Sequence, residues 1–397
     1  MKLNYFELAV IPTASLGLSV MMIGNQFTPK YGAGTALCSI IVGNLLLWLI
    51  GIVVITMTGK DKLNAIQNFQ SYIGEWGGKL VALILIFAFL SWFALHINHT
   101  VAILESLHLF TGQWDKNVTV RAGTMIGLIT TLLAMGGVTW IKRITLFCLP
   151  LLFCYYLYAF TIPGKTPHFT GTWGLSLHVI TYTFLLLLPG YVNLPTLFRY
   201  ARTRADAYLA LSCMFFFISF FQIFSIWISL STAPLFVLLF LILFSGINSN
   251  LLNIYFSSVS WDIFVPKFSG AKGYAVIGLL GTAIYTFIQI SAPVRFLENL
   301  ALCYIASLGI VMLIAFLMRV LVRHRLKSSE KIINAASWII GCITATFFQM
   351  HATENYFSLL AGVSASALFF MFVLFIEQMI WAIKNIPQFF KNKMKGP

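Results

Sequence analysis

The chain has 397 residues, of which 59% are hydrophobic and only 9% charged. A soluble domain carries about 25% charged residues, so a soluble globular enzyme, a disordered chain and a nucleic-acid binder are all excluded. The formal net charge of +14 is a topology signal instead, because the basic residues fall in the gaps between apolar runs.

At about 20 residues per span, the apolar runs predict an all-α integral membrane protein of about twelve transmembrane helices. Only helices satisfy every backbone group in lipid here, since no barrel-type alternation is present. The first span, 7–27, is interrupted: Ile11-Pro12-Thr13-Ala14-Ser15-Leu16-Gly17-Leu18-Ser19 combines a proline, which removes a donor, with small and hydroxyl residues. The second, 33–57, is smooth. The third, 80–106, carries Trp92 and His96 at i, i+4, with His99 beyond. An aromatic plane beside a donor/acceptor ring suits a flat heterocycle, by stacking and by hydrogen bonding. A satisfied interhelical histidine is the plainer alternative.

The fourth and fifth spans, 121–141 and 144–162, are divided at Lys142-Arg143. The sixth, 173–198, is interrupted at Leu188-Pro189-Gly190-Tyr191-Val192-Asn193-Leu194-Pro195, where Pro-Gly is a strong breaker. The seventh covers 206–231. The eighth, 233–258, holds the densest intramembrane polar cluster. Ser245, Asn248 and Ser249 share one face, and Asn253 follows. Their oxygens suit a hard monovalent cation, whereas the plainer reading is helix–helix hydrogen bonding. The ninth to twelfth spans are 273–291, 295–318, 333–351 and 356–384. Glu377, deep in the last, is read as a protonated or paired structural carboxyl.

Twenty of the 25 Lys and Arg residues fall on the side of the even-numbered loops and both termini, which places the termini in the cytoplasm of a multi-pass plasma or inner-membrane protein. No cleavable leader is expected, because Glu7 interrupts the basic start. The six cysteines form no CxxC pair, so neither disulfides nor zinc are supported.

The two interrupted spans are five apart. That is the pattern of two inverted five-helix repeats whose leading helices open at the membrane midplane around a transport site. The expected organisation is a first repeat over 1–162, a second over 163–320, and 321–397 holding the last two spans and a basic tail. Ser15, Gly17, Gly190 and Tyr191, at the breaks, become candidate substrate contacts beside Trp92, His96 and Asn253.

Four stretches carry a resemblance to the nucleobase–cation symporter family that includes cytosine permease and the hydantoin transporter. They are Gly24 with Gly43-Asn44-Leu45-Leu46-Leu47; Thr58-Gly59-Lys60 with Ser71-Tyr72-Ile73-Gly74; Trp92-Phe93; and Asn193-Leu194-Pro195-Thr196-Leu197-Phe198-Arg199-Tyr200-Ala201-Arg202. The similarity spreads over roughly residues 10–260. It implies a LeuT-type fold and cation-coupled uptake of a planar ring. By position, Trp92 resembles the stacking platform, and His96 and Asn253 the polar readers. A cation site is implied at Ser245, Asn248 and Ser249 with carbonyls near Thr13 and Leu16. Asn248 and Ser249 stand where the family has paired threonines, and Thr196 where it has an aspartate. The second aromatic on helix 6 falls to Tyr191 or Phe184.

The function expected is a secondary active transporter of a planar nitrogen heterocycle, coupled to Na+ or H+. It needs no cofactor and no metal beyond a sodium site, and a monomer is expected. The first alternative is an amino-acid carrier of the same fold. The remote one is a membrane-embedded enzyme or binding protein, disfavoured because GxSxG, HExxH and paired intramembrane carboxylates are all missing from the sequence.

Overall fold

The computed structural model describes residues 2–16, 23–58, 62–106, 116–160, 173–227, 235–288, 292–321, 330–351 and 355–393. These are helical throughout, apart from turns and one isolated parallel bridge between Leu3 and Ala201. Among the described residues, eight helices are apolar and long enough to cross a bilayer. The expected repeat boundary at 162/163 lies outside the described residues, as does Gly17.

The first helix, α1 (Tyr5–Ala14), starts on a capping box. The Asn4 side chain accepts from the Glu7 N–H, and the Glu7 carboxylate accepts from the Asn4 N–H, both at 2.9 Å. Pro12 has no N–H for the Leu8 carbonyl. Two residues later the helix stops, with Ser15 as C-cap. The Thr13 and Ser15 hydroxyls donate to the Ala9 and Ile11 carbonyls, each at 2.7 Å. The chain is helical again over α2 (Ile23–Tyr31) and α3 (Ala33–Thr58).

The next helical stretch, α4 (Ala65–Ser106), begins fifteen residues before the expected span. Gly74, at φ 83° and ψ 173°, breaks it into a short leading segment and the crossing helix. Only glycine adopts that conformation cheaply.

α5 (Lys116–Ala134) and α6 (Gly137–Phe160) correct the expected division at Lys142-Arg143. The chain turns at Met135-Gly136, and Gly137 follows at φ 68°. The glycine pair makes the turn, whereas the two charges sit in the first turns of α6. Lys142 is there paired with Glu7 at 3.1 Å.

The interruption of the sixth span also lies later than expected. Pro189 and Gly190 remain inside α7 (Leu177–Val192), and the break falls at Asn193, before α8 (Leu194–Phe198). The Asn193 N–H donates to the Pro189 and Gly190 carbonyls at 3.2 Å, which carries the helix past the Pro-Gly pair. Pro195 then lacks a donor for Tyr191 and starts the new turn in a position where prolines are favoured.

There follow α9 (Arg204–Phe224) with a 3₁₀ turn at Ser225–Trp227, and α10 (Leu235–Trp261). After these come α11 (Ala271–Ala283) with a π-helical turn at Ile284–Ile288, α12 (Ala292–Leu321), α13 (Glu330–His351) and α14 (Asn355–Lys393). The last helix runs nine residues past its expected end.

Small residues let the central helices approach closely. A Cβ on Gly246 of α10 would lie 2.3 Å from the Thr100 hydroxyl of α4, and one on Gly43 of α3 3.0 Å from Thr183 of α7. Asn44 ties α3 to α9 by donating to Ser219 at 3.1 Å and Gln222 at 2.8 Å. α13 and α14 pack on one another and on α12, to one side of the helices that enclose the site.

Candidate functional site: a cavity at the helix breaks

The end of α1 and the last turns of α7 face the middle of α4 and α10, and the space between them is a cavity. Its empty volume is about 890 Å³, counting the open mouth. Its wall is mostly apolar, and among the described residues no charged side chain contributes to it.

Eight of the residues singled out in the sequence meet there. Trp92 and His96 come from α4, Ser15 and Leu16 from the end of α1, Gly190 and Tyr191 from α7, and Ser249 and Asn253 from α10. The spacing explains the convergence: i, i+4 places Trp92 and His96 on one face of α4, and Ser249 and Asn253 on one face of α10.

The Trp92 and His96 rings are 6.0 Å apart at 76°. The two ring planes therefore stand close to perpendicular. The Trp92 Nε1 and the Tyr191 hydroxyl are both buried and have no hydrogen-bond partner. Unsatisfied buried donors are rare, and both of these belong to residues of the cavity wall. Asn253 donates one amide hydrogen to Asn250 at 3.1 Å, and Asn250 in turn donates to the Phe93 carbonyl at 3.2 Å. That chain fixes the Asn253 side chain and leaves its carbonyl oxygen available.

Thr13 and Asn248 do not line the cavity. Thr13 is buried within α1. Asn248 is fully buried beside the site and donates its Nδ2 hydrogen to the Ala14 carbonyl at 2.6 Å, joining α10 to the broken end of α1. Ser245 belongs to α10, but its side chain is outside the described residues, and so is Gly17. Of the two aromatics weighed on the sixth span, Tyr191 lines the cavity and Phe184 does not. Among the described residues, no group of three or more His, Cys, Asp or Glu side chains could hold a metal.

Several wall residues escaped the sequence reading. Phe89 and Phe256 face each other with ring centroids 5.3 Å apart. Each stands one helical turn from a polar wall residue, Phe89 three before Trp92 and Phe256 three after Asn253, a signal that spacing could have supplied. Met214 and Ile218 of α9, and Leu302 and Ile305 of α12, close the far side. Nothing distinguishes them from lipid-facing side chains until the helices are packed.

Beyond α8 the chain is tied to the N-terminus. The Leu3 N–H donates to the Tyr200 carbonyl at 2.8 Å, and the Arg202 N–H to the Leu3 carbonyl at 3.2 Å. Lys62 donates to the Ala201 carbonyl at 2.9 Å, and Arg199 donates to the Tyr200 and Tyr255 hydroxyls at 3.1 and 3.4 Å. Burial holds the carboxyl of Asp262, just past α10, above the usual carboxylate range, against the pull of the Arg199 guanidinium. Thr196, in place of the aspartate of the resembled pattern, donates to the Asn193 carbonyl oxygen Oδ1 at 2.8 Å and accepts from the Ala65 N–H at 3.2 Å. It thereby anchors the helix break to the start of α4.

No protein-family model matches the chain, and no curated protein matches it. Solved structures do. One is a nucleobase-cation-symport-1 family transporter in a closed conformation with bromovinylhydantoin bound, at 15% identity, covering 97% of this chain and 94% of that one, with a TM-score of 0.66. Another is a Na+-coupled sialic acid symporter in a substrate-bound, outward-open state, at 13% identity, covering 92% and 88%, with a TM-score of 0.70. A manganese transporter from Eremococcus coleocola matches at 12% identity, covering 97% and 95%, with a TM-score of 0.56. At these identities the likeness establishes the fold: a LeuT-type arrangement embedded in the membrane.

Proposed function

We propose, from the LeuT-type fold and the cavity at its two helix breaks, that the chain is a secondary active transporter. It imports a planar nitrogen heterocycle, a nucleobase or hydantoin-like ring, by alternating access with Na+ or H+ as coupling ion. The observation that carries the reading is the cavity wall itself, in which an indole plane, two orphaned donors and the polar side chains of Ser15, His96, Ser249 and Asn253 stand in a mostly apolar surface.

In this reading the guest lies against the face of Trp92. The Tyr191 hydroxyl and Trp92 Nε1 donate to ring carbonyls or ring nitrogens. His96 and Asn253 read the remaining edge, and Ser15 and Gly190 bound it at the helix breaks. Stacking on an aromatic plane is worth about 1–3 kcal/mol per ring. Two or three hydrogen bonds in a dry site then decide which ring is accepted, since a buried reader left unpaired costs about 1–3 kcal/mol. Both termini lie in the cytoplasm, and the ties among Leu3, Lys62, Arg199 and Ala201 hold that side shut.

An amino-acid carrier of the same fold is the second reading. It needs a carboxylate held at a broken-helix N-terminus. The wall's neutrality and its indole plane favour a neutral ring. Uptake of radiolabelled cytosine, uracil, hypoxanthine, hydantoin and amino acids, in cells lacking their own permeases, separates the two. Saturable accumulation of a ring, not competed by amino acids, is expected, and accumulation of an amino acid alone would overturn the heterocycle reading.

A further inference from the structure

A second cavity lies apart from the first, where the end of α3, the start of α9 and the segment between α8 and α9 meet. Its empty volume is about 740 Å³, counting the open mouth. Lys62, Arg199, Arg202 and Arg204 line it, and among the described residues no acidic side chain does. Topology asks for basic residues on one side of a membrane protein. It does not ask for four cations around one space, where each repels the others.

The acids nearby are engaged elsewhere. Glu7 is within electrostatic reach of Arg202, but it is paired with Lys142 at 3.1 Å and accepts from the Asn4 N–H at 2.9 Å. Asp206 accepts from the Thr203 N–H at 3.0 Å and from its hydroxyl at 2.8 Å, which caps α9. Asp262 is within electrostatic reach of Arg199. The ion pairs among the described residues are Lys79–Glu75, Lys142–Glu7 and Arg319–Glu330, so none of the four cations is in one. Lys60 and Asp61, which lie outside the described residues, carry opposite charges. Arg199 donates to the Tyr200 and Tyr255 hydroxyls, yet its Nε is buried without a partner. Lys62 gives one hydrogen to the Ala201 carbonyl and has two more. Arg202 and Arg204 are exposed.

We propose that this cavity binds a phosphate-bearing anion. Guanidinium forks and an ammonium are the side chains that hold phosphate oxygens, and an anion among the four relieves their mutual repulsion. α3 ends at Thr58 and α9 begins at Arg204, and both are apolar and long enough to cross a bilayer. A cavity at the ends of two such helices stands at the depth of lipid headgroups, where basic pockets between spans take anionic ones. A soluble phosphate brings the same chemistry through the open mouth, and the experiment separates the two sources.

The test involves no transport, so its result stands apart from the uptake reading. The purified full-length protein is freed of native lipid in neutral detergent. Its melting temperature is titrated, at constant ionic strength, with dioctanoyl phosphatidylglycerol, with dioctanoyl phosphatidylcholine and with inorganic pyrophosphate. A ligand bound only to the folded state raises that temperature saturably. A saturable rise with phosphatidylglycerol and not with phosphatidylcholine is expected and assigns the site to a lipid headgroup. A rise with pyrophosphate but not with phosphatidylglycerol assigns it to a soluble phosphate. Arg202→Gln with Arg204→Gln removes two cations from the wall and is expected to raise the half-saturating concentration about thirtyfold. Lys267→Gln with Lys272→Gln removes the same charge from exposed positions outside the cavity and is expected to leave it nearly unchanged. If the arginine pair variant does not fold, Arg204→Gln beside Lys272→Gln takes its place. The proposal is overturned by no rise with either phosphate, by a rise that phosphatidylcholine matches, or by equal weakening in the arginine and lysine variants.

Discussion

Trp92 is the residue on which the most rests. Among the described residues its indole is the largest flat surface in the wall, and it also carries an unpartnered donor. Trp92→Phe keeps a plane and loses the N–H, while Trp92→Ala loses both. With stacking worth about 1–3 kcal/mol, Trp92→Ala is expected to weaken ring binding roughly 5- to 150-fold, and Trp92→Phe less. A competition assay on whole-cell uptake reads the difference. Asn253→Ala removes an edge reader and also frees Asn250. It is expected to change the order of preference among rings rather than weaken all of them equally, and the same competition panel checks it. At this scale the sequence was informative where a polar or aromatic side chain was improbable in lipid: Trp92, His96, Ser249, Asn253 and Tyr191 all reach the wall. Phe89 and Phe256 were marked only by their one-turn spacing from Trp92 and Asn253, and the sequence was silent on Met214 and Ile218, because an apolar residue on an apolar helix carries no mark of which neighbour it meets.

Among the helices, the two interruptions were legible and their positions less so. A proline is a reliable sign that a donor is missing, but the carbonyl it deprives lies four residues back, and the helix often survives. α7 runs through Pro189-Gly190 and yields only where Pro195 deprives Tyr191. The turn between α5 and α6 was misplaced because charges were read as a loop. Gly136-Gly137, with its positive φ, was the better sign. Helix ends also hold ties between elements. Glu7 and Lys142, with side chains 18% and 24% exposed, join α1 to α6. Glu7→Gln leaves Lys142 without its partner and is expected to cost about 1–3 kcal/mol. Glu7→Gln with Lys142→Met is expected to recover most of that, and a double-mutant cycle on the melting temperature measures it. Gly51 of α3 has no room to grow: a Cβ would lie 2.6 Å from Leu211 and 3.2 Å from Tyr191. Gly51→Val is expected to displace Tyr191 and reduce uptake several-fold while expression persists, which immunoblotting beside transport would establish.

For the whole molecule, composition alone identified the solvent, and the spacing of the interrupted spans identified the arrangement. The spread of Lys and Arg predicts the orientation. A single cysteine introduced at Lys395 is expected to react with an impermeant maleimide only in inside-out vesicles, and labelling from outside intact cells would reverse the topology. What composition and spacing do not carry is the identity of the guest, since that is fixed by the mutual angles of a few edge groups. The central claim is that a flat ring rests in the cavity against Trp92. Equilibrium binding of radiolabelled cytosine, uracil, hypoxanthine and hydantoin to the purified protein, wild type beside Trp92→Ala, tests it most directly. Saturable, one-to-one binding of at least one ring, weakened about tenfold or more in the variant, is the predicted result. Binding of equal strength in both proteins would contradict it.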